Sequence, residues 1–142
     1  MAKMSDAEIR EFLQEGTRTA KLATTRPDGR PHVVPVWFVL DGDEIVFNTG
    51  ANTVKGRNIL RTGQVSICVD DEAPPFAYVH VTGTARAEDN PPDSLELATR
   101  IGGRYMGAEQ AEAFGRRNAV PGELLVRVTP ARIFGEKDVA GW

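Results

Sequence analysis

An antiparallel β-barrel decorated by short helices is the fold class predicted by the sequence, and three observations predict it. Six strand-like segments follow one another, most of them joined by hairpin turn signals. No strand-helix-strand rhythm appears, and the chain has no G-x-G-x-x-G turn between a strand and a helix. In order along the chain, Ser5 with Glu8 three residues later has the form of a capping box, and Ile9, Phe12 and Leu13 then fall on one helical face up to Gly16. Residues 19–24 alternate with period two, and Arg26-Pro27-Asp28-Gly29-Arg30 supplies a tight reversal into a strand over 32–40. Pro35 cannot donate to a ladder, so that strand is bulged there or lies on an edge. After Asp41-Gly42-Asp43, a third strand covers 44–49. Asn52 or Thr53 then caps a short helix over 54–60. Strands follow at 64–69 and 78–87, the latter with Val79, Val81 and Gly83 on one side. Asp93 or Ser94 caps a helix with Leu95, Ala98 and Ile101 on one face; Gly102-Gly103 is expected to break it, with a second piece over 108–116. A last strand, 124–134, is interrupted by Pro130.

At 142 residues a single domain, 1–142, can bury a core without disulfides or a structural metal. The lone Cys68 cannot form an internal bridge and points to a reducing, cytoplasmic setting. A formal charge of −3 supplies no positive field for nucleic acid. The start of the chain carries acidic residues where an export signal needs an apolar run. The longest apolar stretch, 33–40, is far short of the ~20 residues of a membrane helix.

Metal binding is argued against by the presence of only two histidines, His32 and His80, and by the absence of a second thiol. Asp70-Asp71-Glu72 reads as a solvated turn, and Cys68 as a small packing residue. The run Phe47, Asn48, Thr49, Gly50, Ala51, Asn52, Thr53, Val54, Lys55, Gly56, Arg57 and Asn58 is different, because small, hydroxyl and basic residues gather where a strand gives way to a helix. Free amides at a helix N-terminus favour an anion, Lys55 and Arg57 add full charges, and Thr49, Asn52 and Thr53 add hydrogen bonds. The other reading is that these charges coat a solvated helix face. Trp37 either walls a planar ligand or packs as core, and Trp142 is expected to dock, over a ring slot or on a partner.

Taken together, TRTAKLATTRPDGRPHVVPVWFVLDGDEIVFNTG, then ANTVKGRNIL, then YVHVTGTARA, resembles the pyridoxamine-phosphate-oxidase-like superfamily, and within it the small deazaflavin (coenzyme F420)-dependent oxidoreductases. The resemblance implies a mainly β, six-stranded antiparallel split β-barrel, the FMN-binding split barrel. It also implies a homodimer with cofactor sites shared between subunits. FMN-binding members carry a Ser-Arg-Lys phosphate grip; Thr53 and Lys55 match it, while Val54 stands where the arginine would be. Deazaflavin-binding relatives match better. That comparison places Lys55, Arg57 and Asn58 in the phosphate-facing helix turn, next to Thr49, Gly50, Ala51, Asn52 and Thr53 of the same junction. Val34, Pro35, Val36 and Trp37 would line the ring. The implied activity is F420H2-dependent reduction of a small conjugated substrate; the alternatives are an FMN-dependent oxidase or reductase, or a non-catalytic carrier of flavin, F420 or tetrapyrrole. Such a cofactor carries the hydride chemistry, so no acid, base or nucleophile motif is required and no catalytic residue is assigned.

Overall fold

The computed structural model describes residues 1–141. Strand β1 (Ala2–Lys3) leads into α1 (Asp6–Gln14), where the capping box closes in both directions: the Glu8 amide donates to Ser5 Oγ at 3.2 Å and the Ser5 amide to Glu8 Oε1 at 3.0 Å. Ile9, Phe12 and Leu13 are buried, as their spacing requires. Then come β2 (Ala20–Thr25), β3 (Pro31–Val36), β4 (Val39–Asp41), β5 (Glu44–Gly50), α2 (Val54–Thr62), β6 (Gln64–Asp71), β7 (Ala77–Asp89), α3 (Ser94–Met106), α4 (Ala108–Asn118) and β8 (Glu123–Lys137).

All eight strands form one antiparallel sheet in the order β3-β2-β6-β7-β8-β5-β4, with β1 added on the far end of β8. Strands β3 and β4 stand at opposite ends of this order, yet only Trp37 and Phe38 separate them in the chain. The sheet must therefore curl until its two edges nearly meet, which makes a barrel with one seam. Inside it lie Leu22, Phe38, Ile45, Phe47, Ile67, Val79, Val81 and Val126, all 0–1% exposed. A smaller cluster of Val39, Val46, Leu97, Ile101 and Leu125 seals α3 onto the outside of β4 and β5. Each such side chain stabilises by roughly 1.5–3 kcal/mol relative to exposure.

The fold class is the expected one, with eight strands where six were expected. The additions are β1 and the division of the 32–40 segment, which breaks because Trp37 and Phe38 cross the seam. Pro35 does lie on an edge strand. The last strand is not interrupted at Pro130: a register shift opposite Thr82 and Gly83 absorbs the missing donor, and pairing continues. Gly102 and Gly103 do not break α3. Gly102 lies inside the helix because Phe114 of α4 packs on it; a Cβ there would sit 2.6 Å from Phe114 Cβ. The break comes at Gly107, with φ +93°. Leu95 faces solvent, and the buried stripe of α3 is Ser94, Leu97, Ala98, Ile101 and Gly102. Val36 and Phe38 are buried within the barrel, whereas Val33 is 63% exposed. Trp142 lies outside the described residues; just before it, the Val139 and Ala140 amides bond to the carbonyls of Phe76 and Pro75 of the same chain.

Asp93 begins α3 without capping it, because its carboxylate accepts from Arg127 instead. The same guanidinium donates to Asp41 at 2.8 Å and Glu44 at 3.3 Å, tying β8, β4, β5 and α3 together. Glu44 sits below the usual carboxylate range, chiefly through its bond from Arg86. Arg127→Met is expected to cost about 2 kcal/mol, because charge-assisted bonds are lost while Asp41 and Glu44 keep Arg100 and Arg86 and the partners are partly hydrated. A folded-state pKa below the unfolded one stabilises above the ordinary carboxylate pKa and is lost on acidification. The gap between wild type and variant in thermal melts should therefore narrow as pH falls below about 4.

Candidate functional site

Helix α2 begins hard against the end of β5. Thr53 is its N-cap: its Oγ1 accepts from the Gly56 amide at 3.0 Å, donates to the Gly50 carbonyl at 2.8 Å and lies 2.9 Å from Thr49 Oγ1. A Cβ on Gly56 would fall 2.3 Å from the Gly50 carbonyl oxygen, so only glycine permits this approach. The Ala51 amide is tied to the Gly122 carbonyl at 2.9 Å, and the Asn52 carbonyl accepts from Arg57 at 2.8 Å. The strand-to-helix junction is thus fixed from several sides, with Thr49 and Thr53 spent on its own architecture.

Val54, Arg57, Asn58 and Arg61 follow at helical spacing on one face. They line a pocket of about 400 Å³ together with Arg26 and Asp28 from the β2–β3 turn. Asn58 is its buried anchor, 2% exposed: its Nδ2 donates to Thr24 Oγ1 at 3.0 Å, and its Oδ1 accepts from Arg61 at 3.1 Å. Arg61 also bonds to the Thr25 carbonyl. Three guanidinium groups against one carboxylate make the pocket cationic. Lys55 is turned about 100° away from this face. Its charge acts instead on Glu123, whose carboxyl burial pushes up and Lys55 and Arg117 pull back down. The predicted basic pair therefore flanks α2 on two sides rather than converging in one pocket.

The four predicted ring-lining residues lie along β3 and just past it. His32 pairs with Thr24, the acceptor of Asn58, and Val36 pairs with Ala20 at the other end of the strand. Four residues at about 3.3 Å each separate those levels by about 13 Å. Val34 is half-buried, Pro35 exposed, Val36 buried and Trp37 38% exposed. His32 Nδ1 is buried on this strand with no hydrogen-bond partner. The Trp37 ring stacks on Tyr105 of α3 at 5.2 Å and 6°, with Phe114 of α4 at 5.6 Å. Arg26, Tyr105 and Phe114 were missed by sequence reasoning, since each comes from a segment far from the motif. The arginine in the Arg26-Pro27-Asp28-Gly29 turn was the one available signal.

The largest of the described cavities, about 660 Å³, lies between α1 and the β4–β5 turn and contains none of the predicted residues. The Cys68 thiol is pushed up by burial and then by Asp70, the opposite of an activated nucleophile. Among the described residues no group of three metal-ligating side chains occurs, and no helix is long and apolar enough to cross a membrane.

Solved structures similar to this chain include a conserved hypothetical protein from Mycobacterium tuberculosis, 28% identical over 95% of this chain and 86% of that one, with a TM-score of 0.82. An F420 reductase is 29% identical over 87% of this chain and 94% of its own, with a TM-score of 0.69. HutZ, the heme storage protein from Vibrio cholerae, shares the fold at 24% identity over 91% and 92% of the two chains, with a TM-score of 0.72. No curated protein matches the sequence. Residues 5–136 match the family described as pyridoxamine 5'-phosphate oxidase, a span that takes in every strand of the barrel but β1 and all but the last residue of β8. The chain belongs to the pyridoxamine 5'-phosphate oxidase-like split-barrel superfamily.

Proposed function

We propose that the chain is an F420H2-dependent reductase acting on a small conjugated substrate. The observation that carries this reading is the cationic pocket of Arg26, Arg57 and Arg61 at one end of β3, with an exposed aromatic, Trp37, beyond the other end. The donor set fits a long ligand with an anionic end and a planar end. Arg57, held by the Asn52 carbonyl, and Arg61, held by Asn58, would hold the phosphate; Val34 to Trp37 would border the ring. Val54 in place of an arginine, and the 29% identity to an F420 reductase, favour a deazaflavin over FMN. When bound, F420H2 supplies a hydride at its ring. The protein's part is to bind and orient, with the guanidinium groups neutralising the anion and the apolar strand face excluding water.

The reading includes a second copy of the chain, because Val33 and Pro35 of β3 and Trp37 just past it are exposed along the ring-lining stretch. On the outward side of the neighbouring strands, Ala23 of β2 and Ser66 and Cys68 of β6 are partly exposed and small enough for close approach. Sedimentation followed at the cofactor's visible absorbance tests cofactor and assembly together. F420 should travel with a species of twice 15.5 kDa, and more tightly than FMN at equal concentration. Cofactor absorbance moving with a 15.5 kDa species, or preferring FMN, would contradict the proposal.

A further inference from the structure

The seam of the barrel is stitched by α3. The Phe38 amide donates to Tyr105 Oη at 3.3 Å, and the Tyr105 hydroxyl donates to the Arg18 carbonyl at 2.8 Å. Next to it, the Arg104 guanidinium donates to the carbonyls of Phe38 at 2.8 Å, Leu13 at 2.8 Å and Gly16 at 3.0 Å, and lies over the rings of Phe38 and Tyr105. The chain just after Trp37 is thus fixed by hydrogen bonds that do not involve the indole. The indole itself packs against two aromatic rings, Tyr105 at an interplanar angle of 6° and Phe114 at 32°. Phe114 is placed in turn by the two glycines that bring α3 and α4 together: Gly102 admits its ring, and Gly115 sits where a Cβ would strike Thr99.

We infer that Tyr105 and Phe114 are positioning residues that fix Trp37 in one orientation as the wall for a planar conjugated ring, so that the α3–α4 hairpin sets which rings the site accepts. A core tryptophan held this firmly would be covered; this one is 38% exposed, in line with the exposed Val33 and Pro35 of β3. An ordered, partly open aromatic gives contact area without the entropy cost of ordering a mobile one. The inference rests on the reading of Val34 to Trp37 as the ring-bordering stretch, but not on the anion pocket.

The test uses the full chain with Trp142→Phe, which leaves Trp37 as the one indole of the two in the sequence. Trp37 emission is titrated with riboflavin, which has the ring without phosphate, and with FMN and F420. Tyr105→Phe keeps the stacked ring while losing the hydroxyl, so it should lower thermal stability yet leave riboflavin affinity within about twofold. Tyr105→Leu should red-shift Trp37 emission and weaken riboflavin at least fivefold, leaving the ratio of FMN to riboflavin affinity unchanged. If that variant fails to fold, Phe114→Leu should move the same two readouts in the same direction. Riboflavin that binds wild type and Tyr105→Leu equally, or that leaves wild-type Trp37 emission untouched, overturns the inference. Loss of the anion pocket's role would show separately, as equal affinity for FMN and riboflavin in wild type.

Discussion

Gly56→Ala should destabilise the protein by about 3 kcal/mol, although alanine is the better helix former by about 1 kcal/mol. The new Cβ would meet the Gly50 carbonyl oxygen at 2.3 Å, Thr53 Oγ1 at 2.9 Å and the Ala51 carbonyl oxygen at 3.4 Å. Two of those atoms are backbone and cannot rotate away. The third is the N-cap oxygen, so relief of the clash would break the bond from the Gly56 amide and the contact with Thr49. Overpacking of this kind costs typically 1–3 kcal/mol, and loss of a threonine cap about 1 more. Thermal denaturation should show a fall of roughly 10 °C. Gly103→Ala is the matched control: it lies within α3, and its nearest neighbour would be Ala111 Cβ at an ordinary 3.5 Å. That substitution should be neutral or gain about 0.5–1 kcal/mol. Equal effects at the two glycines would show that the approach of α2 to β5 carries no strain.

Arg57→Ala combined with Arg61→Ala should weaken F420 and FMN by at least thirtyfold while leaving riboflavin nearly unchanged. Charge-assisted bonds to a phosphate are worth about 1.5–3 kcal/mol each, and solvent exposure of both arginines brings that to about tenfold apiece. Lys55→Ala should cost less than either, because its charge faces Glu123 on the other flank of α2. Affinity of wild type should fall with added salt and that of the double variant much less, since the exposed charges that salt screens have been removed. Isothermal titration at two ionic strengths measures all of this. A double variant that still binds F420 as wild type does would place the anion elsewhere on the molecule.

The fold was legible where local rules act alone. The Ser5–Glu8 box, the Asp-Gly turns, the Thr53 cap and the alternation of Val79 and Val81 are all decided within a few residues. The expected break at Gly102-Gly103 failed because a glycine pair reads locally as a stop, whereas here Gly102 is small to admit Phe114 from the next helix. The single strand expected over 32–40 failed for a similar reason: the division at Trp37 and Phe38 is a barrel seam, which exists only once strands remote in sequence have paired. Within the candidate site, Arg57 and Asn58 were readable from the motif, and helical periodicity could have separated Lys55 from them. Arg26 and Tyr105 were not readable, because β-hairpin and helix packing bring them in across tens of residues.

Pro31 and Pro35 bear on how the barrel meets its neighbours. Strand β3 pairs with β2 residue by residue from Pro31 to Val36, and a proline has no amide hydrogen to give. The donors directed at β2 must therefore come from His32, Val34 and Val36, and the alternate set points away from the sheet. Of that outward set, Pro31, Val33 and Pro35, only Val33 retains a hydrogen. The strand is thus a poor template for another strand, and such edges resist the stacking that leads to fibrils. Two copies of this chain can approach by their faces but are disfavoured from zipping together along β3. A proline-to-threonine exchange at position 35 would restore a second free donor on the rim and turn a guarded border into an adhesive one.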